Sequence, residues 1–104
     1  MIEEAPVWSP DGLQIAYAAA QSNNPNQFDI YVRLADGTGT PTKITSEASG
    51  SDNRFPVFSP DGRYLAFASN RNGNYEIYIY EFATGQVWQV TDNLEDDFPY
   101  AWVN

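Results

Sequence analysis

The chain has 104 residues, 42% hydrophobic and 15% aromatic, which is enough for one small domain with a buried core. Its 14 acidic and 5 basic side chains give a formal net charge of −9, and this balance excludes the basic surface that nucleic-acid binding requires. It contains no cysteine and no histidine, which excludes disulfides, thiolate metal sites and the Ser-His-Asp and Cys-His catalytic groups.

The sequence carries no signal for membrane insertion or secretion. No apolar run approaches the roughly 18 residues that span a bilayer, so we predict no membrane insertion. The N-terminal stretch "MIEEAPVW" has no basic segment followed by a hydrophobic one, so we predict no secretory signal in the chain as given. A chain without cysteine folds in oxidising and reducing surroundings alike, and its composition therefore assigns no compartment.

The first predicted strand, "APVWS" at 5–9, returns as "FPVFS" at 55–59, and the tetrapeptide Ser-Pro-Asp-Gly completes both copies. Proline presets φ to about −65°, aspartate tolerates the next position, and glycine supplies a positive φ, so this tetrapeptide predicts a tight turn. The predicted turn-forming residues are Pro10, Asp11 and Gly12 in the first copy and Pro60, Asp61 and Gly62 in the second.

The second predicted strand is apolar on both of its faces. It reads "LQIAYAAA" at 13–20 and "RYLAFASN" at 63–70, with large side chains alternating with alanines. Successive side chains of a strand point to opposite faces of the sheet, so one face is large and the other is small. Such a pattern indicates a strand buried on both sides, as in a sheet packed between two neighbours.

Two further strands complete each copy. The third reads "FDIYVRL" at 28–34 and "YEIYIYEF" at 75–82, and the fourth reads "TKIT" at 42–45 and "WQVT" at 88–91. The first copy is longer only in its loops, which is where repeat architectures tolerate insertions. Each copy is therefore predicted to be one sheet of four antiparallel strands.

The spacing of the repeat indicates a propeller. Trp8 and Phe58 occupy the same place in the two copies and are 50 residues apart, and Trp102 follows Phe58 by 44 residues. Repeats of this length with four strands are typical of β-propeller blades. The last seven residues, "FPYAWVN", read as the first strand of a third blade.

At these residues the sequence resembles the TolB-type, WD-like β-propeller repeat. The matching stretches are Pro6 to Gly12, Pro56 to Gly62, the hairpin "SNRNGNYEIY" at 69–78, and the closing pairs Ile44-Thr45 and Val90-Thr91. The resemblance covers essentially the whole chain and implies an all-β fold of four-stranded blades. Six blades is the number it implies for a TolB-like ring. Similar repeats occur in Tol-system proteins and in the non-catalytic propellers of prolyl-oligopeptidase-like and tricorn-like peptidases, so the resemblance alone does not assign a function.

We predict a single propeller fragment over 1–104, with blade one at about 5–46, blade two at about 54–92 and the first strand of a third blade at 98–104. Propellers have about four to eight blades, so we interpret the chain as an excised or engineered fragment of a TolB-like protein. Two stacked blades would leave two outer faces bare, and bare apolar faces favour association.

Blade two of one copy is therefore predicted to pack on blade one of the next, in a head-to-tail ring closed by homo-oligomerisation. A homotrimer with six blades is the first expectation and a homotetramer with eight the second. The predicted core and oligomer-interface residues are Trp8, Tyr17, Phe58, Phe67 and Trp102.

The predicted function is a non-catalytic scaffold that presents a surface to a protein partner. One alternative is a fragment of the gating propeller of a peptidase. Another is a cation-dependent ligand-binding ring, for which Glu95, Asp96 and Asp97 are weak candidates, since carboxylates suit Ca²⁺ or Mg²⁺. A solvated acidic loop that keeps strand edges apart explains the same residues, and the chain has no "D-x-D-x-D-G" calcium loop. We therefore predict no cofactor.

Overall fold

A computed structural model describes residues 2–4, 6–45 and 51–91. Within these ranges the chain forms two antiparallel sheets, and no helix there is long and apolar enough to cross a membrane. The strands are β1 (Ile2–Glu3), β2 (Val7–Trp8), β3 (Gln14–Ala20), β4 (Asp29–Leu34), β5 (Thr42–Lys43), β6 (Asn53–Phe58), β7 (Tyr64–Ser69), β8 (Glu76–Glu81) and β9 (Val87–Gln89). The predicted all-β class with antiparallel sheets is confirmed.

The first sheet, blade one, contains β1 to β5. Both β1 and β2 pair with β3, at Ala19–Ala20 and at Ile15–Ala16 respectively, so together they take the place of one inner strand. β4 pairs with the other side of β3, and β5 lies at the outer edge. Strand pairing in this sheet begins at Ile2, ahead of the predicted blade limit near residue 5.

The second sheet, blade two, has the strand order β6-β7-β8-β9. Its inner strand β6 shifts register between Arg54 and Val57, where Phe55 adopts a left-handed φ of 59°. Blade one is interrupted at the equivalent place, between β1 and β2, where Glu4 N still donates to Ala18 O at 2.9 Å. A bulge of this kind bends β6 and increases its twist.

The repeated tetrapeptide forms a closed turn in both blades. Gly12 N donates to Ser9 O at 2.9 Å with φ at 72°, and Gly62 repeats this bond with φ at 74°. A side-chain bond reinforces the turn, because Asp11 Oδ1 accepts from Ser9 Oγ at 2.6 Å and from Leu13 N at 2.9 Å. Positive φ carries little penalty for glycine, which explains why the fourth position is the same in both copies.

These turns predict a pH dependence of stability. The Ser9 hydroxyl and the Leu13 amide lower the pKa of Asp11, and the Arg63 amide followed by the Ser59 hydroxyl lower that of Asp61, from an ordinary value of 3.8. A depressed folded-state pKa stabilises the fold above the unfolded-state pKa, and this stabilisation is lost as pH falls through the folded-state pKa.

The double variant Asp11→Asn/Asp61→Asn is therefore expected to lose less stability than the wild type when the pH falls from about 5 to about 2.5. Urea denaturation at a series of pH values measures this, with the pH 7 midpoint of each protein as its own reference. Equal acid losses in the two proteins would contradict the prediction.

The main core lies between the blades, where one face of blade one packs on one face of blade two. In each blade, one side of the sheet is the aliphatic face and the other is the aromatic face. The aliphatic face consists of Ala16, Ala18, Ile30, Val32 and Ile44 in blade one and of Ala66, Ala68, Ile77, Ile79 and Val90 in blade two. The aromatic face consists of Trp8, Ile15, Tyr17 and Tyr31 in blade one and of Phe58, Leu65, Phe67 and Tyr78 in blade two. The aliphatic face of blade one packs on the aromatic face of blade two, so the small side chains receive the large ones.

The outer face of blade one differs from the bare surface that the sequence predicts. Ile15 and Tyr17 are buried and form a second cluster with Ala19. Ile15 is flanked in register by Trp8 and Arg33, and the Tyr17 ring stacks on Tyr31 with centroids 5.7 Å apart. Large cross-strand neighbours shield one another from solvent on a sheet face. Among the large apolar side chains of this face, Trp8 is therefore the most exposed.

Candidate functional site

The two outer faces of the blade pair form the candidate site, and the first of them is the aliphatic face of blade two. Its residues match those of the buried aliphatic face of blade one in strand register. Ala66 pairs with Ile79 as Ala16 pairs with Val32, and Ala68 pairs with Ile77 as Ala18 pairs with Ile30. The two faces therefore have nearly the same shape and chemistry.

Exposure distinguishes the two aliphatic faces. Ile44 and Val90 are equivalent, since Ile44 N donates to Ile30 O at 2.9 Å and Val90 N donates to Ile77 O at 2.8 Å. Yet Ile44 is 5% exposed and Val90 is 52% exposed. Likewise Ile30 is fully buried, whereas Ile77 is only half-buried. The aliphatic face is thus partly exposed in blade two, whereas it is buried in blade one.

An aromatic pair extends this surface at its outer edge. Trp88 lies at the position that Thr42 holds in blade one, because it pairs with Ile79 as Thr42 pairs with Val32. It is 41% exposed and meets Tyr64 edge to face, with ring centroids 6.1 Å apart. Exposed contiguous apolar surface of this kind marks interaction sites on proteins.

The second outer face is the aromatic face of blade one, which is open at Trp8. Trp8 pairs with Ile15 as Phe58 pairs with Leu65. Phe58 is 8% exposed in the core between the blades, and Trp8 is 59% exposed. Burial is the first cause of a raised pKa at Tyr17 on the same face, with the charge of Glu3 second. On this face, Ile15 and Tyr17 are therefore buried and Trp8 is exposed.

A group of polar contacts lies at the junction between the two blades. Asp52, 3% exposed, accepts from Phe28 N at 2.8 Å and from Arg54 Nε at 2.8 Å, and the Tyr75 hydroxyl donates to the same carboxylate. Asn53 N donates to Phe28 O at 2.8 Å. The Arg54 guanidinium lies over the Phe28 ring, 4.0 Å from its centroid. One buried carboxylate thus connects both blades.

A second polar feature repeats within each blade. Thr45 Oγ1 donates to Asp29 Oδ1 at 2.8 Å and accepts from Ile30 N at 3.1 Å. Thr91 Oγ1 repeats this arrangement with Glu76, at 2.5 Å. The repetition explains why a carboxylate and a threonine recur in register in the two blades. The matched spacing of the Asp/Glu and Thr positions was the available signal.

A model of the TolB beta propeller domain matches residues 1–101 of the sequence. The chain belongs to the TolB β-propeller family. It is similar to a solved structure described as a putative TolB from Agrobacterium tumefaciens, with 31% identity, a TM-score of 0.80 and 94% of this chain covered. It is also similar to TolB from Acinetobacter baumannii, with 33% identity, a TM-score of 0.67 and 88% of this chain covered. The chain spans 33% of the former protein and 21% of the latter.

A puromycin hydrolase complexed with PGG is a further structural neighbour of this TolB-family chain. The identity is 20% and the TM-score 0.70, with 88% of this chain and 14% of the hydrolase covered. At that identity the similarity concerns the fold alone, so it carries no catalytic activity to these blades. A search of the curated proteins found no match.

The structure places three of the five predicted interface residues in buried positions. Phe58 and Phe67 lie in the core between the TolB-type blades and Tyr17 lies in the second cluster. Trp8 is exposed, so within this chain it is not packed between blades. Trp102 and the predicted third-blade strand at 98–104 lie outside the described residues, as do Glu95, Asp96 and Asp97. Among the residues that are described, no three carboxylates are grouped so that they could hold a metal ion.

Proposed function

We propose that the chain is a non-catalytic scaffold that closes a propeller ring with further copies of itself and presents that ring to a protein partner. The aliphatic face of blade two in one copy packs on the aromatic face of blade one in the next. The exposure of Val90 against the burial of its equivalent Ile44 carries this proposal. The contact between the two blades of one chain supplies its template, since the small face there receives the large one.

The energy of such a contact favours association. Fully burying one large aliphatic or aromatic side chain gains roughly 1.5–3 kcal/mol. Val90, Trp88 and Trp8 are all more than one third exposed, so a contact that covers them gains on the order of several kcal/mol per junction. A closed ring forms one more junction than an open chain of the same copies, which offsets the entropy lost on association.

The number of copies follows from the number of blades. Each copy supplies two blades, so three copies give six blades and four copies give eight. We propose the trimer, because six blades is the number that the TolB resemblance implies. The tetramer is the second assembly compatible with a ring.

The polar chemistry supports a role without catalysis. The carboxylate of Asp52 is held by Phe28 N, Arg54 and Tyr75, and the buried Glu76 is held by Thr91 and Asn74. Groups held in this way stabilise a fold, whereas a catalytic group must remain accessible to a substrate. The absence of histidine and cysteine from the sequence limits nucleophilic chemistry further.

Native mass spectrometry and light scattering of the 104-residue chain test the assembly. We expect a particle of about three times the chain mass of 11.7 kDa. The variant Val90→Glu is expected to raise the dissociation constant at least about tenfold, because it places a carboxylate in an apolar contact. Asn23→Asp is the matched control, since it adds the same charge at an exposed turn residue of the loop at 21–27, outside the strands.

A stable particle of a single chain would overturn the proposal. So would a trimer that Val90→Glu leaves unchanged. Circular dichroism of both variants separates loss of assembly from loss of folding, and the half-exposed position of Val90 predicts that the folded chain tolerates the change.

A further inference from the structure

We propose that an ion pair between Arg33 of one copy and Glu81 of the next fixes the register of the contact between copies. This inference rests on the proposed assembly and adds a specific charged contact to it. By strand register, these two side chains lie on opposite outer faces of the blade pair.

The contact between the two blades of one chain shows where these side chains would meet. A cleft of about 270 Å³ between the blades is lined by residues of blade one, Arg33 and Leu34 among them, and by Tyr80 and Phe82 of blade two. Arg33 holds in blade one the position of Tyr80, because Arg33 pairs with Ile15 as Tyr80 pairs with Leu65.

Glu81 likewise holds in blade two the position of Leu34. Glu81 pairs with Tyr64 in the same way as Leu34 pairs with Gln14. When the next copy docks with the geometry that joins the two blades of one chain, Arg33 therefore takes the place of Tyr80 and Glu81 takes the place of Leu34. The two opposite charges then line one cleft.

Both side chains are available for this contact. Arg33 and Glu81 are half-buried, and neither forms an ion pair with another residue in the described ranges. Glu81 accepts a hydrogen bond only from the hydroxyl of Thr84 at 2.7 Å among the side chains described. By contrast, Lys43 on the same outer face as Arg33 is already beside Asp29, at 3.7 Å.

The net charge of the chain makes such a pair important. Copies that each carry −9 repel one another, and Arg33 is one of only five basic residues. A positive group on one face and a negative group on the other turn this repulsion into attraction at the contact, and they fix its orientation. An apolar face alone gives little preference for one register over another.

Analytical ultracentrifugation of variants with the charge reversed at one residue of the pair, or at both, tests the ion pair. Arg33→Glu and Glu81→Arg are each expected to raise the dissociation constant at least about tenfold, because like charges then face each other at every junction. The double variant Arg33→Glu/Glu81→Arg reverses the pair at every junction and has the wild-type net charge. It is expected to assemble within about threefold of the wild type.

An equimolar mixture of the two single variants gives a second readout. In a mixed ring of three copies, two of the three junctions join opposite charges and one joins like charges, whereas all three junctions join like charges in either variant alone. Mixed particles are therefore expected to assemble more tightly than either single variant and less tightly than the wild type. Assembly of the single variants at wild-type affinity, or a double variant as weak as the singles, would overturn the ion pair while leaving the proposed assembly standing. A wild-type chain that is itself monomeric would overturn both.

Discussion

Replacing Phe67 by alanine is expected to lower the free energy of unfolding by about 3–5 kcal/mol. Phe67 has no exposed surface, and its ring stacks on Tyr78 with centroids 6.1 Å apart in the core between the blades. The truncation leaves a cavity in the core, and the surrounding side chains relax into it only partly. Domains of this size have roughly 5–15 kcal/mol of stability in total, so the loss is a large part of it.

Urea denaturation followed by circular dichroism measures this effect, at one fixed protein concentration because the proposed association would contribute to stability. Phe55→Ala is the matched control, since it removes the same atoms from a residue that is 45% exposed. Its expected cost is about 1 kcal/mol. Equal losses for the two variants would show that the core does not lie between the blades as described.

Replacing Asp52 by alanine is expected to cost about 3–5 kcal/mol, because it removes a buried carboxylate that pairs with Arg54 and bonds to Phe28 N. The change leaves the amide of Phe28 without its acceptor and leaves the Arg54 guanidinium with Glu4, at 3.3 Å, as its remaining ion-pair partner. Asp52→Asn retains an acceptor oxygen for Phe28 N, so its cost is expected to be intermediate.

Asp36→Ala provides the comparison for Asp52. Asp36 Oδ1 also accepts from a backbone amide and a hydroxyl, those of Thr38, but it lies in an exposed turn and connects no two sheets. Its expected cost is below about 1 kcal/mol. A change at Asp52 as mild as the change at Asp36 would show that the junction does not depend on that carboxylate.

The strands were predictable because the same pattern of residues occurs in both copies of the repeat. The alternation of large and small residues in β3 and β7 fixes which side chains share a face, and any slip by one residue would exchange the faces. The Ser-Pro-Asp-Gly turns fix where β3 and β7 begin. Local patterns of this kind need no knowledge of the rest of the chain.

The features that were missed depend on contacts distant in sequence. β1 at Ile2–Glu3 has no alternation of its own and is defined by its pairing with Ala19 and Ala20. The role of Asp52 depends on Phe28, 24 residues away. Trp8 and Phe58 occupy equivalent positions in the repeat. Their exposure differs because blade one of this chain packs on the face that carries Phe58, whereas Trp8 lies on an outer face.

The alternation of alanine with bulky residues along β3 and β7 also bears on how such a molecule grows during evolution. Each blade has an aliphatic face on one side and an aromatic face on the other, and one short segment of sequence encodes both. Tandem duplication of that segment therefore adds a unit whose new surfaces already match those of its neighbours. The number of units can then change without the evolution of a new contact.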